Sequence, residues 1–560
     1  MARVGVFICE CGSNISDKID IAQVIKEVST MPEVVLAEPY RLMCSPDGRS
    51  YLEERIRKQS LTHVVIAACS PREHQQTFMK VCEKAGINPY LLQLVNIREQ
   101  CAWVTPDPAE ATEKATRMVK AAIARVRHQA PLQRREIAVS PDVLVVGGGV
   151  AGIEASLMLA GPTRKVWLVE KSADLGGSVN SFLRTYPDMG DYRAILRSRI
   201  ARLRAHPGIE VLIESEVDQV LGFFGNFQVR VRSHQEGQTT KDLKVGALLL
   251  ATGARLYDPA KIRGYGYGQV DNVLTAMEFE SMCSGDGAKL SNGAAPRSVA
   301  IIHCVGREVK GYCSGICCMY ALKFSTYLKE SGPDIRTVHL YSDMCVPGKS
   351  SQLFLERSLR AGTELIRAAG IRVGKGEQEV RIDFVREDGS PDTLAVDMVI
   401  LAPAMEPQAD AADLAEKVGI ALDKEGFLAR QHEILEPSTS SKEGVFVAGC
   451  AQGPKDIPET VVQAQAAAGG ILASLVPGKK MEIETKTSYI IESYCQGCKT
   501  CISVCRFGAI SFDERRRVAV VNEVICRGCG NCSAACPSGA AVIKHSTYDQ
   551  IYQEIVEAVK

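Results

Sequence analysis

The sequence predicts an α/β protein: a nucleotide-binding core flanked by a small N-terminal α/β unit and a cysteine-rich C-terminal unit. Three observations lead there. Short apolar runs that read as buried strands alternate with helical stretches along most of the chain. One such unit, residues 143–172, reads VLVVGGGVAGIEASLMLAGPTRKVWLVEKS, a strand, a glycine-rich turn, a helix and a second strand ending in an acid. Near the end, eight cysteines fall into two C-x2-C-x2-C-x3-C runs.

Composition bounds the function. A chain of 560 residues is expected to hold several domains. Acidic and basic residues balance at 66 each, so no bulk field attracts nucleic acid or an anionic membrane surface. No apolar run reaches about 18 residues, and the first residues lack a charged region followed by a long hydrophobic one. A soluble, cytoplasmic protein is the expectation. Its 21 cysteines then point to metal or cluster ligation rather than to a disulfide framework.

In chain order, residues 1–135 form the first expected domain. Val4–Ile8, Val34–Ala37, Val64–Ala68 and Tyr90–Leu94 read as strands, and cysteines follow them: Cys9 and Cys11, Cys44, Cys69, and Cys101 after an extension. In a parallel sheet the C-terminal strand ends share one edge, so these thiols could meet there. An iron–sulfur cluster needs about four thiolates and five candidates are present. Buried free cysteines packing as small hydrophobes are the alternative. Ala109–Gln129 reads as a helix with a basic side (Lys114, Arg117, Lys120, Arg125, Arg127), expected to face solvent. Residues 134–141 are the expected linker into the core.

The core begins at residue 136. Gly147, Gly149 and Gly152 turn the chain and let backbone N–H groups approach a pyrophosphate, while Glu170, with Lys171 beside it, is placed for a ribose. Gly177 follows in LGGSV, Thr252 and Gly253 end the strand LLLATG, and Gly449 ends VFVAG. This order resembles the two-dinucleotide flavoprotein superfamily, thioredoxin-reductase-like, in which the first loop holds FAD; NAD is the rival. Tyr192–Ala205 reads as an Arg-rich helix, Val211–Arg232 as hairpin-like material, and residues 284–297 as a flexible connection closing the first core segment near 296.

Residues 297–384 should then form the second dinucleotide domain, but its glycine-rich loop is absent. After the strand Ser298–Ile302 stands HCVGREVKGYCSGICCMYALK, with Cys304, Cys313, Cys317 and Cys318. Four thiolates at one loop can hold a 4Fe-4S cluster, although adjacent cysteines depart from ferredoxin spacing. A redox-active dithiol is the alternative, and Cys345 is an extra ligand or a bystander. Residues 385–484 are expected to return to the flavin domain, with Met398–Pro403 and VFVAG pairing with its earlier strands. A helix then starts at Pro458, with Asp456 and Ile457 at its entrance. The superfamily has Asp after the last strand's glycine; this chain has Cys450, and Asp456 is the candidate substitute.

Residues 485–560 form the last domain. Cys495, Cys498, Cys501 and Cys505 are followed by Cys526, Cys529, Cys532 and Cys536, with Pro537 next. This is the two-cluster ferredoxin pattern, in which each fourth cysteine serves the other cluster. One set is then Cys495, Cys498, Cys501 and Cys536, the other Cys526, Cys529, Cys532 and Cys505. A zinc site would need only pairs of C-x2-C.

Taken with VFICECG, AACSPREH, GPKDIPETVVQA and the tail, the chain resembles the A-subunit family of heterodisulfide reductase over nearly its whole length. The resemblance implies an oxidoreductase with FAD and about four 4Fe-4S clusters, splitting or merging electron pairs. Implied partners are heterodisulfide-reductase-like B and C subunits or other electron-transfer subunits, ferredoxin, and a homo-oligomer within a larger complex. The comparison also places Lys323 toward the flavin N5 region, with Glu278 as a weaker polar partner; an ordinary exposed lysine is the alternative. Some members carry a further ferredoxin unit in the flavin domain, whereas the span from Gly177 to Leu248 here has no cysteine. Two other readings stay open: a non-bifurcating flavin and cluster conduit in a sulfur-metabolism or quinone-linked complex, and a thiol–disulfide oxidoreductase using Cys317 and Cys318.

Overall fold

Ser–Pro and Asp–Pro steps punctuate the first 110 residues, and each starts a helix. Ser45, Ser70 and Asp107 accept from backbone N–H groups of the first turns of Pro46–Lys58, Pro71–Lys84 and Pro108–Val126, and proline stands where no N–H is needed. The computed structural model describes residues 2–134, 136–235, 239–285, 287–482 and 485–560. It divides into two units, Met1–Ile137 with Glu482–Lys560, and Ala138–Met481.

The first unit contains a four-stranded parallel sheet in the order Val34–Tyr40, Val4–Cys9, His63–Ala68, Leu92–Asn96. Apolar clusters cover both faces, which is why its central strands are apolar throughout apart from His63 at the start of one. The C-terminal helix Tyr548–Val559 packs on Pro108–Val126 in the same unit. The expected solvated basic face of that helix is corrected for three of its five residues, while Arg117 stays exposed. Lys120 pairs with Glu27 at 2.7 Å, Arg127 with Glu33 at 3.5 Å, and Arg125 with Glu554 at 2.6 Å while donating to the His545 carbonyl at 2.8 Å. The acidic partners come from distant parts of the chain. The cysteine-rich tail contains two antiparallel pairings, Ser488–Ile490 with Ala541–Ile543 across the tail and the hairpin Ile510–Asp513 with Val518–Val521, and two short helices, Thr500–Ser503 and Asn531–Ala535.

The second unit holds two main sheets. One is parallel, in the order Val445–Val447, Ala247–Leu250, Val143–Val146, Val166–Val169, Ile209–Leu212. A three-stranded antiparallel sheet, Ser215–Phe223, Asn226–Ser233 and Thr240–Val245, packs beside it. The other main sheet has seven strands: Val273–Thr275, Met398–Pro403, Ser298–Val305, Arg336–Tyr341, Thr363–Lys375, Val380–Arg386 and Pro391–Val396. This overturns one expected pairing. Met398–Pro403 does not return to the nucleotide sheet; it lies between Val273–Thr275 and Ser298–Val305, pairing Ile301 with Ile400. An apolar strand buried on both faces carries no mark of which sheet it joins. The two crossings between the sheets run side by side, Ala254–Leu256 antiparallel to Met405–Pro407.

Candidate functional site

At the nucleotide loop, the three glycines have different tasks. Gly147 has φ 108°, and a Cβ there would lie 2.3 Å from the Ala251 carbonyl oxygen. A Cβ on Gly152 would lie 1.8 Å from the Gly147 oxygen, so helix and strand touch through it. Gly149 caps the helix Val150–Leu159 and faces open space, with no protein atom within 4 Å of a Cβ built on it. Gly177, at φ 57°, brings its own Cβ position within 3.3 Å of the Gly149 Cα and so borders that space. Glu170 binds the loop itself: its carboxylate accepts from the Gly148 N–H at 2.6 Å and the Ser172 N–H at 2.8 Å. Lys171 points away and meets Asp410 at 3.4 Å. Thr252 and Gly253 follow the strand Ala247–Leu250, with Gly253 at φ 74°.

The helix Ile457–Ser474 is capped reciprocally. The Asp456 carboxylate accepts from the Glu459 N–H at 2.8 Å, and the Glu459 side chain accepts from the Asp456 N–H. Asp456 is therefore engaged in capping. Gly449, at φ 70°, donates its N–H to Gln463 at 2.8 Å, and the Cys450 thiol points to the Lys455 carbonyl.

The segment after the strand Ser298–Val305, where a second nucleotide loop was expected, gathers five sulfurs with Cys345. Cys304 leaves the strand Ser298–Val305 with φ 59°, and Gly306 and Gly311 continue the turn in the left-handed region. The helix Cys317–Ser331 opens with Cys317 and Cys318. Cys318 Sγ accepts from the Cys345 N–H at 3.4 Å, and both Cys304 and Cys318 reach toward the Asp343 carbonyl. Cys345 approaches Cys313, and Cys304 and Cys313 lie close enough to Cys317 and Cys318 to help raise their thiols. Cys345 thus stands among these thiols. Burial pushes Cys317 up to about 11 and Cys318 to about 12. Such thiols are protonated at neutral pH, the opposite of what a dithiol nucleophile needs, whereas metal ligation removes the proton outright.

Tyr186, a neighbour of this set, escaped sequence reading, as did Glu280, the partner of Lys323. Tyr186 is half-buried, which raises its phenol, and the nearby Asp456, Cys317, Glu459 and Cys450 raise it further. It therefore lies near both the thiols and the entrance of Ile457–Ser474. Lys323 is buried rather than exposed: its ammonium meets Glu280 at 2.6 Å with side-chain exposures of 4% and 2%, and it donates to the Arg184 carbonyl at 3.0 Å. Burial lowers the lysine pKa, and Glu280 opposes the shift. Glu280 also accepts from the Leu183 N–H at 2.6 Å and Tyr327 O–H at 2.9 Å. Glu278, the expected polar partner, instead closes a capping box with Thr275 and accepts from Tyr267. The spacing Thr275-x-x-Glu278 already spelled that cap, which leaves Glu280 as the inward acid.

In the first unit, Cys9, Cys11, Cys44 and Cys69 come together at the sheet edge, with Cys11 and Cys44 near enough to both Cys9 and Cys69 to help raise their thiols. Arg98 donates to Cys11 Sγ at 3.3 Å, placing a positive charge beside them. Cys101 is elsewhere: fully buried in the apolar cluster, its thiol donates to the Ala111 carbonyl at 3.1 Å. It passes out of the strand edge because the residues Arg98–Ala102 coil back toward the helix Pro108–Val126.

The tail forms two hollows that open in part to solvent. The first is lined by Cys495, Cys498, Cys501 and Cys536, the second by Cys505, Cys526, Cys529 and Cys532. No three His, Cys, Asp or Glu residues among those described close around one point as ligands of a single ion do. Rings of four thiols around a cavity fit a larger inorganic cluster instead. The open space at Gly149, bordered by helix N–H groups, fits a pyrophosphate.

The comparisons agree. Residues 141–468 match the family of pyridine nucleotide-disulphide oxidoreductases, and residues 494–540 the 4Fe-4S dicluster domain. The chain is 33% identical to an iron–sulfur A-type subunit of the CoB–CoM heterodisulfide reductase of Methanopyrus kandleri, covering 93% of this chain and 92% of the relative. It is 33% identical to the A-type subunit of the H(2):CoB-CoM heterodisulfide,ferredoxin reductase of Methanothermobacter thermautotrophicus, covering 91% of each. Identity to the A-type subunit of the ferredoxin/F(420)H(2)-dependent CoB-CoM heterodisulfide reductase of Methanosarcina acetivorans is 32%, covering 92% of this chain and 76% of the relative. With a flavoprotein core, thiols where the second nucleotide loop would stand and a dicluster tail, the chain belongs to the heterodisulfide reductase A-subunit family of FAD- and iron–sulfur-dependent oxidoreductases.

Proposed function

We propose that this chain is the electron-bifurcating component of a cytoplasmic heterodisulfide-reductase-like complex, exchanging electrons with B- and C-type subunits and with ferredoxin. One observation carries the reading. The cluster of thiols from Cys304 to Cys345 stands where a nicotinamide loop would be, and Tyr186 lies near both it and the entrance of Ile457–Ser474. FAD, when bound, trades electron pairs for single electrons, which iron–sulfur clusters carry one at a time.

The chain's residues then have distinct tasks. The loop from Gly147 to Gly152 and the Gly177 turn hold the pyrophosphate, with Glu170 fixing the loop's shape through Gly148. The positive end of Ile457–Ser474, capped by Asp456, favours negative charge at the flavin. Cys304, Cys313, Cys317 and Cys318, with Cys345 alongside, bind one cluster; Cys9, Cys11, Cys44 and Cys69 bind another; the tail binds two. Lys323, held by Glu280, supplies a fixed buried positive charge in the same unit. Relatives named for both heterodisulfide and ferredoxin support the two-acceptor arrangement. Among the described residues, no helix is long and apolar enough to cross a membrane.

The test is anaerobic purification of the native complex with identification of its co-purifying subunits, followed by coupled turnover. With a two-electron donor supplied, whose electron pairs divide between the two acceptors, ferredoxin reduction that requires a disulfide acceptor in the same reaction is expected. Ferredoxin reduction at an unchanged rate without it would refute bifurcation and leave a simple conduit.

A further inference from the structure

Behind the central thiols runs a closed line of hydrogen bonds that the reaction as described does not use. Cys318 Sγ stands 3.4 Å from His303 Nδ1, His303 Nε2 stands 2.8 Å from His339 Nδ1, and His339 Nε2 stands 2.6 Å from Ser325 Oγ. All four residues are buried: Cys318 is 3% exposed, His303 2%, Ser325 1% and His339 0%. His303 and His339 come from adjacent parallel strands, Ser298–Val305 and Arg336–Tyr341; Cys318 and Ser325 come from the same helix, two turns apart. Sheet and helix thus each contribute two members, and the line is held at both ends.

Both rings lie in the interior with no acid among their hydrogen-bond partners, where an unpaired charge is costly. Each neutral ring then carries one N–H. Three hydrogen bonds among four groups can run in only two ways: from a Cys318 thiol toward Ser325, or from the Ser325 hydroxyl toward Cys318. A sulfur bound to iron has no proton to give, so ligation selects the second. Ser325 O–H donates to His339 Nε2, His339 Nδ1–H to His303 Nε2, and His303 Nδ1–H to Cys318 Sγ. The sulfur also accepts from the Cys345 N–H.

We propose that Ser325, His339 and His303 are positioning residues that hold a hydrogen bond on the Cys318 sulfur and thereby raise the reduction potential of the cluster bound there. The proposal rests on the cluster reading of the central thiols. Hydrogen bonds to cluster sulfurs are among the levers that set cluster potentials, because the reduced cluster carries more negative charge and gains more from the donor. The second histidine and the serine fix the tautomer, so that the N–H of His303 faces sulfur rather than the strand behind it.

The experiment is an electron-paramagnetic-resonance redox titration of the full, anaerobically purified chain, following the cluster signal that disappears in Cys313→Ala. His303→Leu removes the donor. It is expected to shift the equilibrium about tenfold toward the oxidised cluster, which for one electron lowers the midpoint by about 59 mV. His303→Gln, whose amide can donate to sulfur and accept from His339, is expected to restore most of the shift. Ser325→Ala, a small change that should fold, is expected to move the midpoint the same way by less. Exchange into deuterated water should remove from the native signal one proton coupling that His303→Leu already lacks, the coupling of the Cys345 N–H being common to both. If the iron content is native and neither His303→Leu nor Ser325→Ala moves the midpoint, the inference is overturned while the cluster reading stands. If Cys313→Ala and Cys318→Ala keep full iron and every signal, the cluster reading fails and the inference with it.

Discussion

Gly149→Val tests the flavin placement against the simplest structural alternative, that the glycines serve only packing. Gly149 has φ −78° and ψ −170°, backbone that any residue adopts, and its Cβ position meets nothing within 4 Å. The substitution therefore adds an isopropyl group to empty space. Its structural cost is the loss of a tolerated N-cap residue, about 1 kcal/mol, and the fold survives. That space is also where phosphate oxygens would approach the helix N–H groups. Flavin affinity should fall by well over tenfold, each tenfold being about 1.4 kcal/mol, giving folded but colourless protein. Gly152→Ala is the contrast. Its Cβ would stand 1.8 Å from the Gly147 oxygen, so backbone must move, and overpacking costs about 1–3 kcal/mol. That variant should lose stability together with flavin. The assay is the flavin-to-protein absorbance ratio of the purified full chain, read beside its thermal unfolding. A Gly149→Val protein with full flavin content would refute the placement.

Four further outcomes are expected. Lys323→Met leaves Glu280 buried without its cation; since Leu183 N–H and Tyr327 O–H still donate to it, destabilisation near the lower end of about 3–5 kcal/mol is expected in denaturant unfolding, and Lys323→Met with Glu280→Gln should recover much of it. Cys69→Ser should remove about four irons per chain whereas Cys101→Ala should remove none, because the Cys101 thiol serves the apolar core; equal losses in both would reject the four-thiol set. Cys505→Ser should abolish the cluster of Cys526, Cys529 and Cys532, and Cys536→Ser that of Cys495, Cys498 and Cys501; spectra showing each loss confined to its own run would exclude the crossed arrangement. The isolated, cluster-loaded chain should not oxidise NADH at a useful rate, because thiols stand where the nicotinamide loop would be; rapid anaerobic bleaching of the flavin on adding NADH would revive a pyridine-nucleotide reductase.

The family, the α/β class and the oxidoreductase character were legible in the residues alone, because these rest on local codes. A glycine loop spells its backbone in consecutive residues, a cap lies within four residues, and cluster cysteines announce themselves by spacing. Even the cap on Glu278 was written in Thr275, three residues before it. What depends on distant partners came only with the folded chain. Met398–Pro403 is apolar at every position and would suit either sheet; only pairing with Ser298–Val305 assigned it. Five N-terminal cysteines were equal in sequence, and the coil after Leu92–Asn96 turned Cys101 inward while four remained at the edge. Glu280 found Lys323 across 43 residues, and His303 found His339 across 36. A buried polar group must be matched by whatever the fold brings to it, and nothing in the neighbouring sequence names that partner.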